Sequence, residues 1–596
     1  NLDIGKNSYK FRNNTVFNYS WLTNLTLIWN NTMRVMMVYP NDRMDGLIPV
    51  GISVLSSHLK HAGHEVKLYD TTFYDTGKAT GDSFREQMGQ VIPVDLSKYG
   101  VSRTKINLND LQQDFRKEVL EYQPGLIGFS VLEITYDQGL ELAKAIEDLD
   151  IPVIFGGIYP TFAPRIVLKE KSIDMICEGE GEEMFAELAT KIEKKENIKD
   201  ILNLTMKVDG KIYRSGRECK LDDLPTGDNI YGENIGLRRP QTNMAKTLLP
   251  PDYTIYNDKR FWKKMGGKAV RTVAMELSRG CPYTCTFCCV PMQQHQHKFA
   301  RAKYSEFVGR DKEAKQSAVA NDPYHREKPI PKFIEEVERA QEEYKLDFIY
   351  FTDESFLSMR PQRFEEFIEK YGKIKIPFFI ESRVETVRPG YAKALESVGC
   401  RGVAMGVESG SVELRKKLLK RSMDNEIIIK AFKEFEKTSV RISANNIIGF
   451  PTETREDIMK TIELNREINP DSVVVNAFRP YSGTELRKIC IEKGLIPKED
   501  RAEDNRAYGA FDNGALTSAE LENIRKVFAL YVTFPKNRWN EIKKAETDEA
   551  AYKKLMEEYS SGKLFNRKVR PELNSSLDKN VLANEIFVND EEAIVI

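Results

Sequence analysis

Two long stretches in which short apolar strands alternate with amphipathic helices constrain this chain more than any other feature, because strands joined by helices must lie parallel in a covered sheet. The first runs from Arg34 to about Glu183. It predicts strands at Val35–Tyr39, Glu65–Tyr69, Leu126–Val131, Pro152–Gly157 and Ile173–Cys177, a helix from Val50 closed by Gly63, and a second helix with Leu140, Ala143 and Ile146 on one face. The second begins at Thr272 and continues with strands at Phe348–Phe351, Phe378–Glu381, Gly402–Met405, Ile442–Ile448 and Ser472–Ala477. The fold class is therefore α/β: a flavodoxin-like (Rossmann-type) domain, then a partial (β/α)6 TIM-like barrel. Each should place its site at the carboxyl ends of its strands.

Length fits this division, since 596 residues imply about three to four domains at ~150 residues each. Residues 1–32 are rich in Asn and lack a period, so they read as a non-native or disordered extension. The Asn-x-Ser/Thr triplets at Asn18 and Asn24 are then accidental. The first domain is expected over 33–183, a linker with a hairpin at Thr205–Arg214 over 184–270, the barrel over 271–487, and a helical region over 488–596. In that last region Thr517 and Glu520 form a capping box, and the tail bearing Trp539, Tyr552 and Tyr559 is expected to close the substrate side of the barrel.

Lys+Arg 89 against Asp+Glu 90 gives a charge of −1, which offers no field for nucleic acid or an anionic membrane. No apolar run approaches the ~20 residues of a membrane helix. Eight cysteines, three of them in one loop, suit a reducing, cytoplasmic setting better than a disulfide framework.

That loop, Cys281-Pro-Tyr-Thr-Cys285-Thr-Phe-Cys288, sets three thiolates within eight residues. Three thiolates can bind three irons of a 4Fe-4S cluster and leave the fourth open to the amino and carboxylate groups of S-adenosylmethionine (SAM). A zinc site or a closed ferredoxin-type cluster is the alternative. Zinc usually draws on two separated pairs, and the nearest spare thiol, Cys289, adjoins Cys288 and reads as a buried small hydrophobe. With its preceding strand the segment resembles the cluster loop of the radical SAM superfamily.

The first domain's crevice loops carry Gly-Phe-Ser130, Gly156-Gly157-Ile-Tyr159-Pro160 and Glu178-Gly179-Glu180-Gly181-Glu182, small residues that let backbone approach a large flat ligand. With the Pro-Val-Gly-Ile helix they resemble the cobalamin-binding domain that precedes many radical SAM domains; an ordinary flavodoxin-like domain is the alternative. The resemblance implies cobalamin contacts at Ser130, Gly156, Gly157, Tyr159, Pro160, Glu178, Gly179, Glu180 and Gly181. No Asp-x-His-x-x-Gly is present, so cobalamin is expected without a protein His below the cobalt. His58, His61 and His64 are expected at the surface of the first helix and its exit.

The radical SAM resemblance also implies SAM contacts. The methionine amino group falls to Asp353 or Glu354. Ser382 and Arg383 lie on the methionine or substrate side. Glu408, with Ser409, takes the ribose hydroxyls. Lys420, with Arg421 as substitute, takes the SAM carboxylate. Phe287, Asn445 and Pro451 lie by adenine. His295 and His297 sit in a polar insertion, residues 291–325, expected to be a lid or solvent loop.

The whole resembles cobalamin-dependent radical SAM enzymes, including the class B methylases and the chlorophyll-ring cyclases. It implies reductive SAM cleavage and methylation of an unactivated carbon of a small-molecule or lipid substrate, with electrons from a donor such as flavodoxin or ferredoxin. Cyclisation or oxidation without methyl transfer is the second expectation, and a cobalamin-binding sensor or carrier with an inactive barrel the third.

Overall fold

A computed structural model describes residues 32–41, 46–76, 94–228, 243–265, 267–294, 324–498 and 511–560. The expectations for residues 1–31, for His295 and His297, and for most of the 291–325 insertion lie outside the described residues.

The first alternating series forms one sheet with strands β1 (Arg34–Tyr39), β2 (Glu65–Asp70), β3 (Leu126–Ser130), β4 (Val153–Gly156), β5 (Met175–Cys177), β6 (Leu204–Val208), β7 (Lys211–Arg214) and β8 (Arg217–Cys219). Their order is β8-β7-β6-β5-β4-β3-β1-β2. The five strands expected from alternation are parallel in flavodoxin-like order, so the switch point lies between β1 and β3 and a crevice opens at their carboxyl ends. Strands covered on both faces read as continuous apolar runs, which is why β1 was legible: Val35, Met36, Met37 and Val38 are all buried.

The segment read as a linker contributes to both sheets. Its hairpin forms as expected, as β6 and β7, and adds to the edge beside β5 antiparallel. Its end, β9 (Trp262–Met265), pairs antiparallel with β10 (Lys268–Met275).

The second sheet continues through β11 (Phe348–Phe351), β12 (Phe378–Arg383), β13 (Cys400–Glu408), β14 (Arg441–Ile448) and β15 (Ser472–Ala477) in sequential order, with β10 to β15 parallel. Alternation gives it two faces. Val273, Ile349, Phe351, Phe378 and Ile380 face outward onto helices Ile330–Tyr344 and Pro361–Tyr371 through Phe333, Val337, Phe364 and Phe367. Ala274, Tyr350, Phe379 and Ala404 face inward as an apolar floor, filled by Leu47, Val50 and Val54 of the first domain with Met244 and Leu248. Further along, the inward rows carry Glu381 and Arg383 beyond Phe379 and Glu408 beyond Ala404, with Asn445 on β14, so the barrel is apolar at its floor and polar at its mouth.

Helices Ser518–Thr533, Trp539–Ala545 and Glu549–Ser560 follow, the first opened by the Thr517–Glu520 capping box. They do not close the mouth, contrary to expectation. Leu521, Ile524, Val527 and Phe528 pack on Ile448, Ile458, Ile462 and Val475, the outer side of the last two strands. Among the described residues no helix is long and apolar enough to cross a membrane.

Candidate functional site

The carboxyl ends of the two sheets face one another across a cavity of about 290 Å³. One wall is the crevice: Met37 and Tyr39 of β1, Ser130 after β3, Gly156 and Gly157 after β4, and Glu178 to Glu182 after β5. The other comes from the barrel, with Glu276, Arg279, Gly280, Glu354 and Arg326. Gly157 has φ +105°, and a Cβ there would stand 2.4 Å from the Val131 carbonyl oxygen, so the backbone closes in as no other residue allows. An apolar slot rimmed by bare backbone fits a corrin ring.

The acidic loop does not present free carboxylates to this space. Glu178, 2% exposed, accepts from Arg214 Nε at 2.9 Å and Nη2 at 2.6 Å and from the Thr205 hydroxyl, an anchor within its own domain. Glu180 pairs with Arg326 at 2.6 Å and Glu182 with Arg279 at 2.6 Å, both across the domain boundary. Arg279 also binds Glu276 at 2.7 Å. Burial works against the Arg279 charge, but Glu182, Glu276 and Glu180 outweigh it and hold the guanidinium protonated. Sequence reasoning missed both arginines. The available signal was three carboxylates separated by single glycines, a local charge that demands cations from elsewhere.

Tyr159 and Pro160, expected at the same crevice, are buried; Tyr159 packs on Tyr136 with ring centroids 5.0 Å apart and borders a second, smaller cavity instead. No histidine is among the residues lining the larger cavity. His58 and His64 are buried rather than at the surface: His58 Nε2 accepts from the Leu249 amide, and His64 Nε2 meets Thr190 Oγ1 at 3.0 Å. Burial lowers the pKa of both.

Arg279 leads directly into the cluster loop, and the loop is held from several sides. Asp353, 1% exposed, accepts from the Leu277 amide at 3.2 Å and from the Ser278 amide and hydroxyl at 2.6 and 2.5 Å. Glu354 accepts from the Gly280 amide at 3.0 Å. Both carboxyls, expected at the SAM amino group, thus brace the loop backbone. Burial pushes Asp353 up to about 6 and Glu354 up to about 8. Gln294 donates to the Cys281 carbonyl, and the Val290 amide lies 3.5 Å from Cys288 Sγ. Cys289 is 5% exposed and packs with Phe162 and Met292, as a small hydrophobe would. Among the described residues no three His, Cys, Asp or Glu side chains converge on one point as ligands of a single ion would. Thiolates of a 4Fe-4S cluster each bind a different iron, and Cys281, Cys285 and Cys288 stand on one braced loop that could supply three of them.

Beyond the loop, the mouth of the barrel holds a compact set of charges. Arg383 donates from Nη1 to Cys285 Sγ at 2.8 Å and lies over the Tyr283 ring at 3.8 Å. Glu408 has φ +62°, a left-handed conformation costly for a glutamate, and a Cβ on Gly406 would meet its carboxylate at 2.1 Å. Arg421 stands 3.3 Å from that carboxylate and donates to the Gly406 carbonyl at 2.7 Å. Burial raises the Glu408 pKa, while Arg421 opposes it.

Lys420, expected at the SAM carboxylate, points elsewhere. It too has positive φ, +53°, and its side chain, 49% exposed, pairs through its amine with Glu485 at 2.6 Å. The turn that swings Lys420 outward leaves Arg421 buried at the mouth. Ser382 bonds with Thr386 at 2.9 Å and accepts from the Leu357 amide; Ser409 accepts from the Ser411 amide at 3.2 Å; Pro451 is buried. These three support the mouth. Asn445 is different, because its buried Oδ1 has no hydrogen-bond partner among the described residues. The second cavity joins Phe287 and Cys288 to Ile447, Asn476 and Phe478 at the ends of β14 and β15. Asn476 and Phe478 carried no sequence signal beyond their place after a strand.

Residues 275–464 match the model of the Radical SAM superfamily, and residues 90–189 match that of the B12 binding domain. Among curated proteins the chain is similar to an uncharacterized methyltransferase of Pyrococcus horikoshii, 25% identical over 390 residues that span 64% of this chain and 73% of the relative. It is also similar to the anaerobic magnesium-protoporphyrin IX monomethyl ester cyclase of Rubrivivax gelatinosus, 24% identical over 440 residues, 70% of this chain and 69% of the relative. Among solved structures the fold is shared with the methyltransferase TsrM from Kitasatospora setae with cobalamin and a 4Fe-4S cluster bound, at TM-score 0.54 and 17% identity over 78% of each chain. It is likewise shared with the cobalamin-dependent SAM radical enzyme OxsB, at TM-score 0.55 and 15% identity over 89% of this chain and 71% of that one.

Proposed function

We propose that this chain, whose residues 90–189 match the B12 binding domain and 275–464 the Radical SAM superfamily, reductively cleaves SAM and methylates an unactivated carbon of a small-molecule or lipid substrate. The observation that carries this reading is the shared cavity, which sets the crevice backbone at Gly156 and Gly157 opposite the start of the cluster loop at Arg279 and Gly280.

Cys281, Cys285 and Cys288 would hold the 4Fe-4S cluster, and the crevice loops at Ser130, Gly156, Gly157 and Gly179 the cobalamin. Bound there, the cluster supplies the electron that splits SAM and cobalamin supplies a methyl carrier. The rest is the work of side chains. Asp353 and Glu354 fix the loop from behind. Glu408, Arg421 and the unpartnered Asn445 Oδ1 offer an anion, a cation and an acceptor to the ribose, carboxylate and adenine of SAM. The pairs Glu182–Arg279 and Glu180–Arg326 hold the two domains together around the cavity and keep water out of it.

Similarity to a magnesium-protoporphyrin cyclase supports a second reading, cyclisation or oxidation without methyl transfer. Purified, cluster-reconstituted protein with cobalamin, SAM, reductant and host extract separates the two by mass spectrometry. Methylation yields both 5'-deoxyadenosine and S-adenosylhomocysteine. 5'-Deoxyadenosine alone would favour the second reading, and neither product would favour a cobalamin sensor or carrier.

A further inference from the structure

Arg383 was expected near SAM or substrate, yet its guanidinium is turned to the cluster loop. It is buried, stacks on Tyr283 at 3.8 Å, and donates to Cys285 Sγ at 2.8 Å. Its Nε donates to Glu385 at 3.0 Å, and Nη2 serves the same carboxylate. Two residues of an eight-residue loop and one carboxylate thus occupy three sides of this cation. Glu385 in turn lies in the field of Arg421; burial works against its charge, but Arg421 and Arg383 hold its carboxyl below the usual range.

An iron-bound thiolate keeps lone pairs that accept such a donor, and a cation in a water-poor site favours whichever state of the cluster carries more negative charge. Resting on the assignment of Cys281, Cys285 and Cys288 as cluster ligands, we infer that Arg383 and Glu385 form an opposed pair that sets the cluster's reduction potential: the guanidinium on Cys285 raises it, and the carboxylate moderates that effect. The reduction is a one-electron step, from the external reductant to the cluster, with no bond made or broken in the protein. Arg383 is planar and forked, so it can lie on Tyr283 and reach Cys285 and Glu385 together. A lysine would keep the charge and lose that arrangement.

The test is a potentiometric titration of the reconstituted full-length chain without SAM, followed by electron paramagnetic resonance of the reduced cluster, with iron measured in every sample. Arg383→Gln should shift the potential to more negative values, by about a tenfold change in the ratio of reduced to oxidised cluster, 59 mV for a one-electron couple. Glu385→Gln should shift it the other way, and Arg383→Lys should lie between Arg383→Gln and the parent. A support role alone predicts no such opposition of sign. Unchanged potentials in both Gln variants at full iron content would overturn the inference, as would shifts of the same sign. If Arg383→Gln takes up no iron, the positive shift of Glu385→Gln still decides. A parent chain that binds no iron would instead sink the cluster assignment, a failure visible before any potential is measured.

Discussion

The two halves of the site are built on opposite plans. The crevice of the first domain is defined by what is missing: Gly156, Gly157, Gly179 and Gly181 leave room, and its charges, Glu178, Glu180 and Glu182, are all spent on arginines. The barrel mouth is defined by what is present, with Arg383, Glu385, Glu408 and Arg421 buried or half-buried and Arg383 in contact with the cluster loop at Cys285. A slot made of backbone tolerates no added atom, whereas a charged mouth should lose function in steps as its members are removed.

The largest effect expected is on the loop that joins these plans. Replacing Cys281, Cys285 or Cys288 by Ala should abolish cluster absorbance and SAM cleavage and leave cobalamin content unchanged, while Cys289→Ala keeps all three. Next comes the crevice. Gly157→Val combines the forbidden φ with a clash on the Val131 carbonyl, so cobalamin affinity should fall by roughly a hundredfold, the equivalent of about 2–3 kcal/mol of strain. Iron content should stay at the parent level; a joint loss would mean that the two halves fold as one.

At the mouth, Glu408→Gln removes a charge-assisted acceptor, and SAM affinity measured by calorimetry should drop by about tenfold, ~1.5 kcal/mol. Arg421→Gln should cost at least as much, because it leaves Glu408 buried without its partner. Lys420→Gln, at an exposed pair, should change affinity by less than about 0.5 kcal/mol. The reverse ranking would restore Lys420 as the carboxylate's partner.

The last effect is on stability rather than on binding, and concerns pH. Burial raises Glu354 to about 8 from an ordinary value of 4.5, so the folded state holds a proton that the unfolded state releases. Its contribution to stability is fully present below about 4.5 and is lost as pH rises through about 8. Melting temperatures across that window should fall less steeply in Glu354→Gln than in the parent.

What the sequence revealed follows the same division. Strands buried on both faces read as apolar runs, and β15 falls on the expected residues, Ser472–Ala477. Glycine runs after strands mark space, which is a property of the residue itself. The mouth was harder, because a side chain's direction depends on backbone that no local pattern specifies. Lys420 and Arg421 are adjacent cations, and one residue at φ +53° decides which faces inward. The segment from 184 to 270 looked like a linker because β6, β7, β8 and β9 are short antiparallel strands at the margins of the two sheets, without the helix-strand rhythm of their neighbours.

The apolar floor of the barrel has a consequence for how such a chain comes into being. Ala274, Tyr350, Phe379 and Ala404 are covered by Leu47, Val50 and Val54, residues synthesised more than two hundred positions earlier than the strands they seal. A ribosome therefore delivers the plug before the vessel. The first domain can assemble while the barrel is still being made, and each barrel strand then finds a waiting surface to condense upon. A barrel expressed alone, from Thr272 onward, should emerge with its floor open to water and collect in the insoluble fraction, and supplying the first domain as a separate chain should rescue part of it.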